Sequence, residues 1–368
     1  MRSGGSRRRR APRPTRTFVS LTGPAGNLGD ALIRREQLAW ARGTSDELVV
    51  YTGEAPDAWL AQLGLAPGDA VLLRSKRSVP RWLFMLATAP SRPALVFEAG
   101  EVPLERGNAL RELVFLAETV LVRLRRGVVV RPPRAIRAPT QPALRLHSLA
   151  ARASQFALWR DATSLRIAAH GQLVPDIGFA AGRRDGLPWN ARAELVVSLR
   201  GKRPRPGPAW VEAVTGFAAA QGLRIRTVVQ VREDEDRARE LASALGGEFE
   251  PWGDRDPVAQ EALLRERYDG ARLVISDRLH VLILAALSGA LPVELVPAPT
   301  RKIADSFATV GLTDMSMDAA NPGPRGITGF LTAQLTRVDD VRRRVGEAEV
   351  RLSGIEADVR AAIRSARR

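Results

Sequence analysis

Hydrophobic positions along the chain fall into two alternating kinds of segment. Short apolar or β-branched runs, TFVSLTG from Thr17, ELVVYTG from Glu47, AVLLRS from Ala70, PALVFEAG from Pro93 and GVVVRP from Gly127, read as buried strands. Between them, ALIRREQLAWARG, ending at Gly43, and ALRELVFLAETVLVRLRR carry apolar residues at helical spacing. Strands alternating with helices predict a parallel sheet covered on both faces, a Rossmann-like unit. The proline-rich RPPRAIRAPTQPA reads as loop. SLAARASQFALWRDATSLRIAAHG reads as helix, a short strand over Phe156 to Trp159, and another helix.

A polar, glycine-rich stretch, GFAAGRRDGLPWNARA, interrupts this pattern and reads as an interdomain crossover. The alternation then restarts: ELVVSLR as strand, AWVEAVTGFAAAQG as helix, IRTVVQV as strand, DEDRARELASALGG as helix and ARLVIS as strand. The expected fold class is therefore α/β, two Rossmann-like domains facing one another across a cleft, over 17–182 and 183–330. From Leu331 the chain becomes highly charged, with Val338, Val341, Val345, Ala348, Leu352, Ile355, Val359 and Ala362 at heptad positions. Residues 331–368 thus read as a C-terminal amphipathic helix. It forms either a short coiled coil that makes a homodimer or a helix packed back on its own subunit.

Composition narrows the class further. With 45% hydrophobic and 26% charged residues over 368 positions, the chain can bury two real cores. It has no apolar run of the roughly 20 residues that span a bilayer, and MRSGGSRRRRAPRPTR has no apolar signal segment, so the expected compartment is the cytoplasm. The absence of cysteine excludes disulfides and thiolate metal sites, and three scattered histidines argue against a histidine-built metal site.

The formal charge of +16 is localised. Residues 1–16 carry seven arginines and no acid, and residues 104–152 carry ten arginines and three glutamates. This describes a disordered basic tail plus one basic region, not a basic fold. The tail is a solvated arm or a peripheral contact with an anionic membrane. Aromatics are only 5% and are not interleaved with the basic runs, which argues against nucleic acid.

Two stretches place chemistry-bearing residues at strand ends. GPAGNLGD follows the first strand and opens a helix; its glycines do not match a dinucleotide fingerprint, but Gly26, Gly29 and Asn27 could cradle an anion, with Asp30 placed to cap the helix. ARLVISDRLHVLILAAL runs from strand to helix through Asp277, Arg278 and His280, at the sheet edge where open α/β folds bind ligands. Arg278 suits a phosphate or carboxylate, and an imidazole such as His280 can move a proton near neutral pH. The plainer alternative is a local Asp277–Arg278 ion pair with His280 as a helix-start residue. Arg145 to His147 repeats the Arg-Leu-His tripeptide without a strand before it, so His147 is assigned to surface structure, and neither it nor His170 is given a role.

Together these residues resemble the polysaccharide pyruvyl transferase family. The matching pieces are GNLGD (26–30), LWRDATS (158–164), VPDIGFA (174–180), VVSLR (196–200), QVREDEDRARELA (230–242), SDRLHVLILAALSGALPV (276–293) and RKIADSFATVGL (301–312). FEAGEVPLERG and VVVRPPRAIRAP depart from the family pattern, which bears on the acceptor side more than on the donor side. The resemblance implies a GT-B-like arrangement. It also implies transfer of the pyruvyl group of phosphoenolpyruvate, as donor substrate and without a metal or other cofactor, onto a hydroxyl pair of a sugar or lipid-linked glycan in cell-surface polysaccharide synthesis. It makes His280 the general acid, has Arg278 and Arg160 bind the donor's anionic groups, and has Asn27, Gly26 and Gly29 orient it. Lys302 would neutralise the leaving phosphate, and Lys302 is one of only three lysines, with Lys76 and Lys202. Arg200, ending a strand, is a further cleft residue. The alternative is a GT-B glycosyltransferase using a nucleotide-sugar donor in the same cleft.

Overall fold

The computed structural model describes residues 14–366 apart from Pro24, Pro67 and Asp185. The first sheet contains β1 (Arg16–Ser20), β2 (Glu47–Tyr51), β3 (Val71–Leu73), β4 (Ala94–Val96), β5 (Gly100–Pro103), β6 (Val128–Arg137), β7 (Phe156–Trp159) and β8 (Gln172–Leu173). The second contains β9 (Glu194–Ser198), β10 (Arg224–Val228), β11 (Glu248–Glu250), β12 (Ala271–Ser276), β13 (Leu291–Val296) and β14 (Ser316–Asp318). All pairings are parallel, in the orders β3-β2-β1-β4-β6-β7-β8, with β5 against β6, and β11-β10-β9-β12-β13-β14. Each sheet is built outward in both directions from its first strand. The order therefore reverses between β1 and β4 and again between β9 and β12, where helices leave opposite faces and open a crevice at the carboxyl ends.

Helices cover both faces because the central strands are apolar on both. In the first domain α1 (Leu28–Ala41) and α2 (Asp57–Gln62) bury Leu32, Trp40 and Trp59 against Val19 and Val50. On the other face, α3 (Val79–Ala87) and α4 (Ala109–Leu124) bury Trp82, Leu86 and Val122 against Phe18 and Val49, beside α5 (Ala143–Ala153) and α6 (Ala162–Ala168). The second domain follows the same scheme with α7 (Pro208–Ala220), α8 (Glu235–Leu245), α9 (Pro257–Gly270), α10 (Leu279–Leu287), α11 (Arg301–Ala308) and α12 (Pro324–Leu335). The chain ends in α13 (Val338–Ser365). Among the described residues no helix is long and apolar enough to cross a membrane.

Several expectations are corrected. The stretch RPPRAIR is strand, not loop. β6 pairs with β4 through Val130 and with β5 from Arg134, so Pro132 and Pro133, which cannot donate to a ladder, sit where it changes partner and where its register to β7 shifts. The heptad stripe of α13 is spent within the chain. Val341, Val345, Ala348, Leu352, Ile355 and Val359 are buried against α1 and α10, which removes that face from a coiled-coil homodimer, and the helix begins at Val338, after a separate α12. Thr15 and Arg16 belong to the fold and not to the tail, since Thr15 N–H donates to Asp46 at 2.7 Å and Arg16 opens β1. The rest of the basic tail, 1–13, lies outside the described residues.

His147 is not a surface residue. It is fully buried, with Nδ1 2.8 Å from Glu112 Oε2, and burial pushes its imidazole down to about 4.

Candidate functional site

The two switch points face each other, and the residues at their strand ends line one cavity of about 440 Å3. From the first domain come Asn27 and Asp30 at the start of α1, Gly100 and Glu101 at the start of β5, and Arg160 after β7; from the second come Arg200 after β9, Arg278 and His280 after β12, and Lys302 on α11. Five cations, Arg34, Arg160, Arg200, Arg278 and Lys302, face two carboxylates, and among the described residues no Phe, Tyr or Trp lines the cavity.

The start of α1 is fixed by its own side chains. Asn27, not Asp30, is the cap: its Oδ1 accepts from Gly29 N–H at 3.0 Å, and its Nδ2 donates to Asp30 Oδ2 at 2.6 Å. Asp30 in turn holds Arg34 at 3.1 Å. The Gly29 amide is therefore engaged and does not face a ligand, and Gly26, exposed at φ 91°, supplies the turn and lies outside the cavity lining. Gly29 matters for another reason. A Cβ there would fall 2.4 to 2.8 Å from Nδ1, Cβ and Cγ of His280, so the imidazole lies directly against the bare backbone of α1.

Arg278 does not pair with Asp277. Its Nε donates to Asp234 Oδ2 at 2.7 Å, and its Nη2 donates to the same oxygen, which leaves Nη1 for a ligand. Asp277 instead ties strand ends together, accepting from Arg200 N–H at 3.0 Å with Arg203 Nε 3.8 Å away; burial raises its carboxyl against the opposing Arg200 charge. Ser276 completes the turn, donating to Ser198 O at 2.5 Å and accepting from Arg278 N–H at 3.0 Å.

Behind the cations lie two carboxylates that the residue pattern did not single out. Asp176 accepts from Arg160 Nη1 at 2.6 Å and lies 3.8 Å from His280 Nε2, which is itself buried and without a hydrogen-bond partner among the described residues. Burial alone would raise Asp176, but Arg160 and His280 hold it well below the usual carboxylate range. Glu101 meets Lys302 Nζ at 2.8 Å and Arg160 Nη2 at 3.4 Å; these charges outweigh its desolvation and bring it down to about 2. Burial and the neighbouring Arg160 push the Lys302 ammonium down, with Glu101 opposing. Arg200 Nε is buried without a partner among the described residues. The cluster thus presents unsatisfied N–H groups and a charge excess that suit an anionic ligand.

A second, larger cavity of about 1100 Å3 opens beside it in the first domain. Tyr51, Trp82 and Phe115 line it with Glu98 and Glu118; Ser20 Oγ holds Glu98 at 2.7 Å, and Trp82 Nε1 donates to Glu118 at 2.9 Å.

No family model and no curated protein matches the chain. Its fold is similar to a Listeria monocytogenes protein described as a UDP-N-acetylglucosamine 2-epimerase, at 13% identity and TM-score 0.55, covering 90% of each chain. It is also similar to S. aureus MnaA in a UDP co-structure, at 9% identity, TM-score 0.52 and 91% of each chain. A third likeness is to the Neisseria meningitidis UDP-GlcNAc 2-epimerase bound to UDP-GlcNAc, at 9% identity and TM-score 0.52, covering 90% of this chain and 94% of that one. What this likeness carries is the architecture: the chain is a pair of Rossmann-like domains in a GT-B-like arrangement with a helical C-terminus.

Proposed function

We propose that the chain is a transferase that moves the pyruvyl group of phosphoenolpyruvate onto two hydroxyls of a sugar as a cyclic ketal. One observation carries the reading: Arg160, Arg200, Arg278 and Lys302 converge with His280 on a single cavity that no described Phe, Tyr or Trp lines. A donor bearing both a phosphate and a carboxylate needs several cations, and its chemistry needs one proton source. His280 protonates C3 of the enol, making C2 an electrophile. A sugar hydroxyl attacks C2 and its proton returns to the imidazole; the second hydroxyl then closes the ring as the C2–O bond to phosphate breaks and phosphate leaves with a proton. Lys302 and Arg278 meet the charge that grows on the departing phosphate. Asp176, ionised and 3.8 Å from Nε2, is placed to stabilise the protonated imidazole by its charge. The acceptor fits the larger cavity, where aromatic faces and carboxylates suit a sugar.

A second reading is favoured by the fold comparisons: a nucleotide-sugar donor in the same cleft, as UDP and UDP-GlcNAc occur in two of the similar structures. Calorimetric titration with phosphoenolpyruvate and with UDP-GlcNAc separates the two. Saturable binding of the nucleotide sugar with none of phosphoenolpyruvate overturns the first reading. Under it, His280→Ala keeps donor binding and loses about a hundredfold or more in turnover, whereas Arg278→Ala loses donor binding itself. Near-normal turnover by His280→Ala removes the assigned acid.

A further inference from the structure

The basic segment 104–152 contributes no residue to the lining of the 440 Å3 cavity, and its exposed residues have an order of their own. On α4 the exposed positions Leu110, Leu113, Ala117, Val120 and Leu124 follow one another at spacings of three and four, a continuous apolar stripe on the outer face of the helix. Leu110 is 72% and Leu124 77% exposed. α3 and α5 pack on either side of α4 and extend the patch, with Phe84 at 67% and Leu149 at 53% exposure. A run of large apolar side chains across three adjacent helices is more than the scattered exposure of an ordinary surface.

The charges flanking the C-terminal part of the stripe are positive, while at its start exposed Glu105 stands beside exposed Arg106. Arg81 on α3, Arg123 and Arg126 at the end of α4, and Arg145 and Arg152 on α5 are exposed, and none of the ion pairs among the described residues includes them. The glutamates of α4 do not offset them, since Glu112 and Glu118 are buried beneath the helix. Two copies of this chain meeting through the stripe would bring arginine against arginine, so charge complementarity selects an anionic partner. An apolar stripe framed by arginines is the surface that seats a helix in the headgroup region of an anionic bilayer.

We infer that the α3–α4–α5 face docks the protein peripherally on an anionic lipid bilayer. Leu110 also lines the 1100 Å3 cavity, so docking brings the mouth of that cavity to the membrane surface, whichever donor the cleft takes. The test is co-sedimentation of the full chain with phosphatidylcholine vesicles containing or lacking phosphatidylglycerol, with size-exclusion chromatography alongside. The full chain sediments with the anionic vesicles, and Phe84→Ser/Leu124→Ser lowers the partition coefficient about tenfold or more. Arg123→Glu/Arg126→Glu removes the preference for anionic lipid. Val350→Ser, equally exposed on α13, binds as the parent does. All five altered side chains are solvent-facing, so the variants keep the parent's melting temperature. Absence of binding to anionic vesicles overturns the inference. So does undiminished binding by Phe84→Ser/Leu124→Ser, which assigns the affinity to residues 1–13. A dimer that this variant dissociates, without vesicle affinity, assigns the face to a second copy and equally overturns it.

Discussion

The imidazole of His280 is held by what is missing at position 29. Any side chain there would occupy the space of Nδ1 and Cβ of His280, and Cβ cannot swing away as a flexible terminus could. Gly29→Ala therefore displaces the ring from Asp176. It should lower turnover about tenfold or more while donor affinity changes little, with a stability loss of about 1–3 kcal/mol from overpacking. A steady-state comparison of kcat with KM checks this, and an unchanged kcat contradicts it. Glu118 provides a pH-dependent prediction. Burial raises its carboxyl to about 7, against the Trp82 hydrogen bond and the Arg131 charge. The native state thus holds this proton more tightly than the unfolded chain, whose carboxyl titrates near 4.5. The stabilisation is complete below that value and is lost as pH rises towards 7, by at most about 3 kcal/mol. Glu118→Gln keeps the acceptor for Trp82 and removes the titration. Relative to this variant, the parent should lose melting temperature between pH 4.5 and 7.5; a constant difference across that window disproves the assignment.

At the scale of elements, β6 and α13 show how local pattern meets its surroundings. Two consecutive prolines read as loop, yet β6 continues through them because the partner changes from β4 to β5 at that point, so the missing N–H groups fall at the handover. In α13 the charged background and Gly346 and Gly354 weaken the helix on propensity alone. Its stability comes from packing: Val345, Leu352 and Val359 are fully buried, Arg360 Nη1 donates to Ala39 O of α1 at 2.6 Å, and Arg183 Nε holds Glu349 at 2.8 Å. Leu352→Ala should cost about 2–5 kcal/mol, and Val350→Ala, on the exposed face, under about 0.5 kcal/mol. Urea denaturation of both variants measures the contrast, and equal costs would contradict burial of this face.

For the whole molecule, the geometry of the cleft depends on how the two domains are held together. Arg35 on α1 reaches Glu261 on α9 through two hydrogen bonds of 2.8 and 3.1 Å, a bidentate tie from one domain to the other. Burial would raise Glu261, but Arg35 and Arg265 lower it, so it is an anion at neutral pH. Arg35 is 30% exposed, so solvent screens the pair, and Glu261→Gln should cost about 1 kcal/mol or less. The same variant should increase the radius of gyration in small-angle scattering if this tie limits cleft opening; an unchanged radius with an unchanged melting temperature removes it from that role.

Much of this architecture was legible in the chain itself. Strand and helix alternation identified both Rossmann-like halves, and the position of Arg200, Arg278 and His280 after strands of one parallel sheet was enough to bring them to one edge, which Asn27 joins from the other sheet only because the domains face each other. Other features depended on chain segments far apart in sequence. Arg278 takes Asp234, 44 residues away, over its neighbour Asp277, and Glu101 and Asp176 enter the site through contacts with residues of other elements. The helices α4 and α13 make the same point with one motif. Both carry apolar residues at spacings of three and four; one stripe is exposed and the other is buried against α1 and α10. Periodicity determines which side chains share a face. What meets that face, another element of the chain or its surroundings, is decided only when the elements pack.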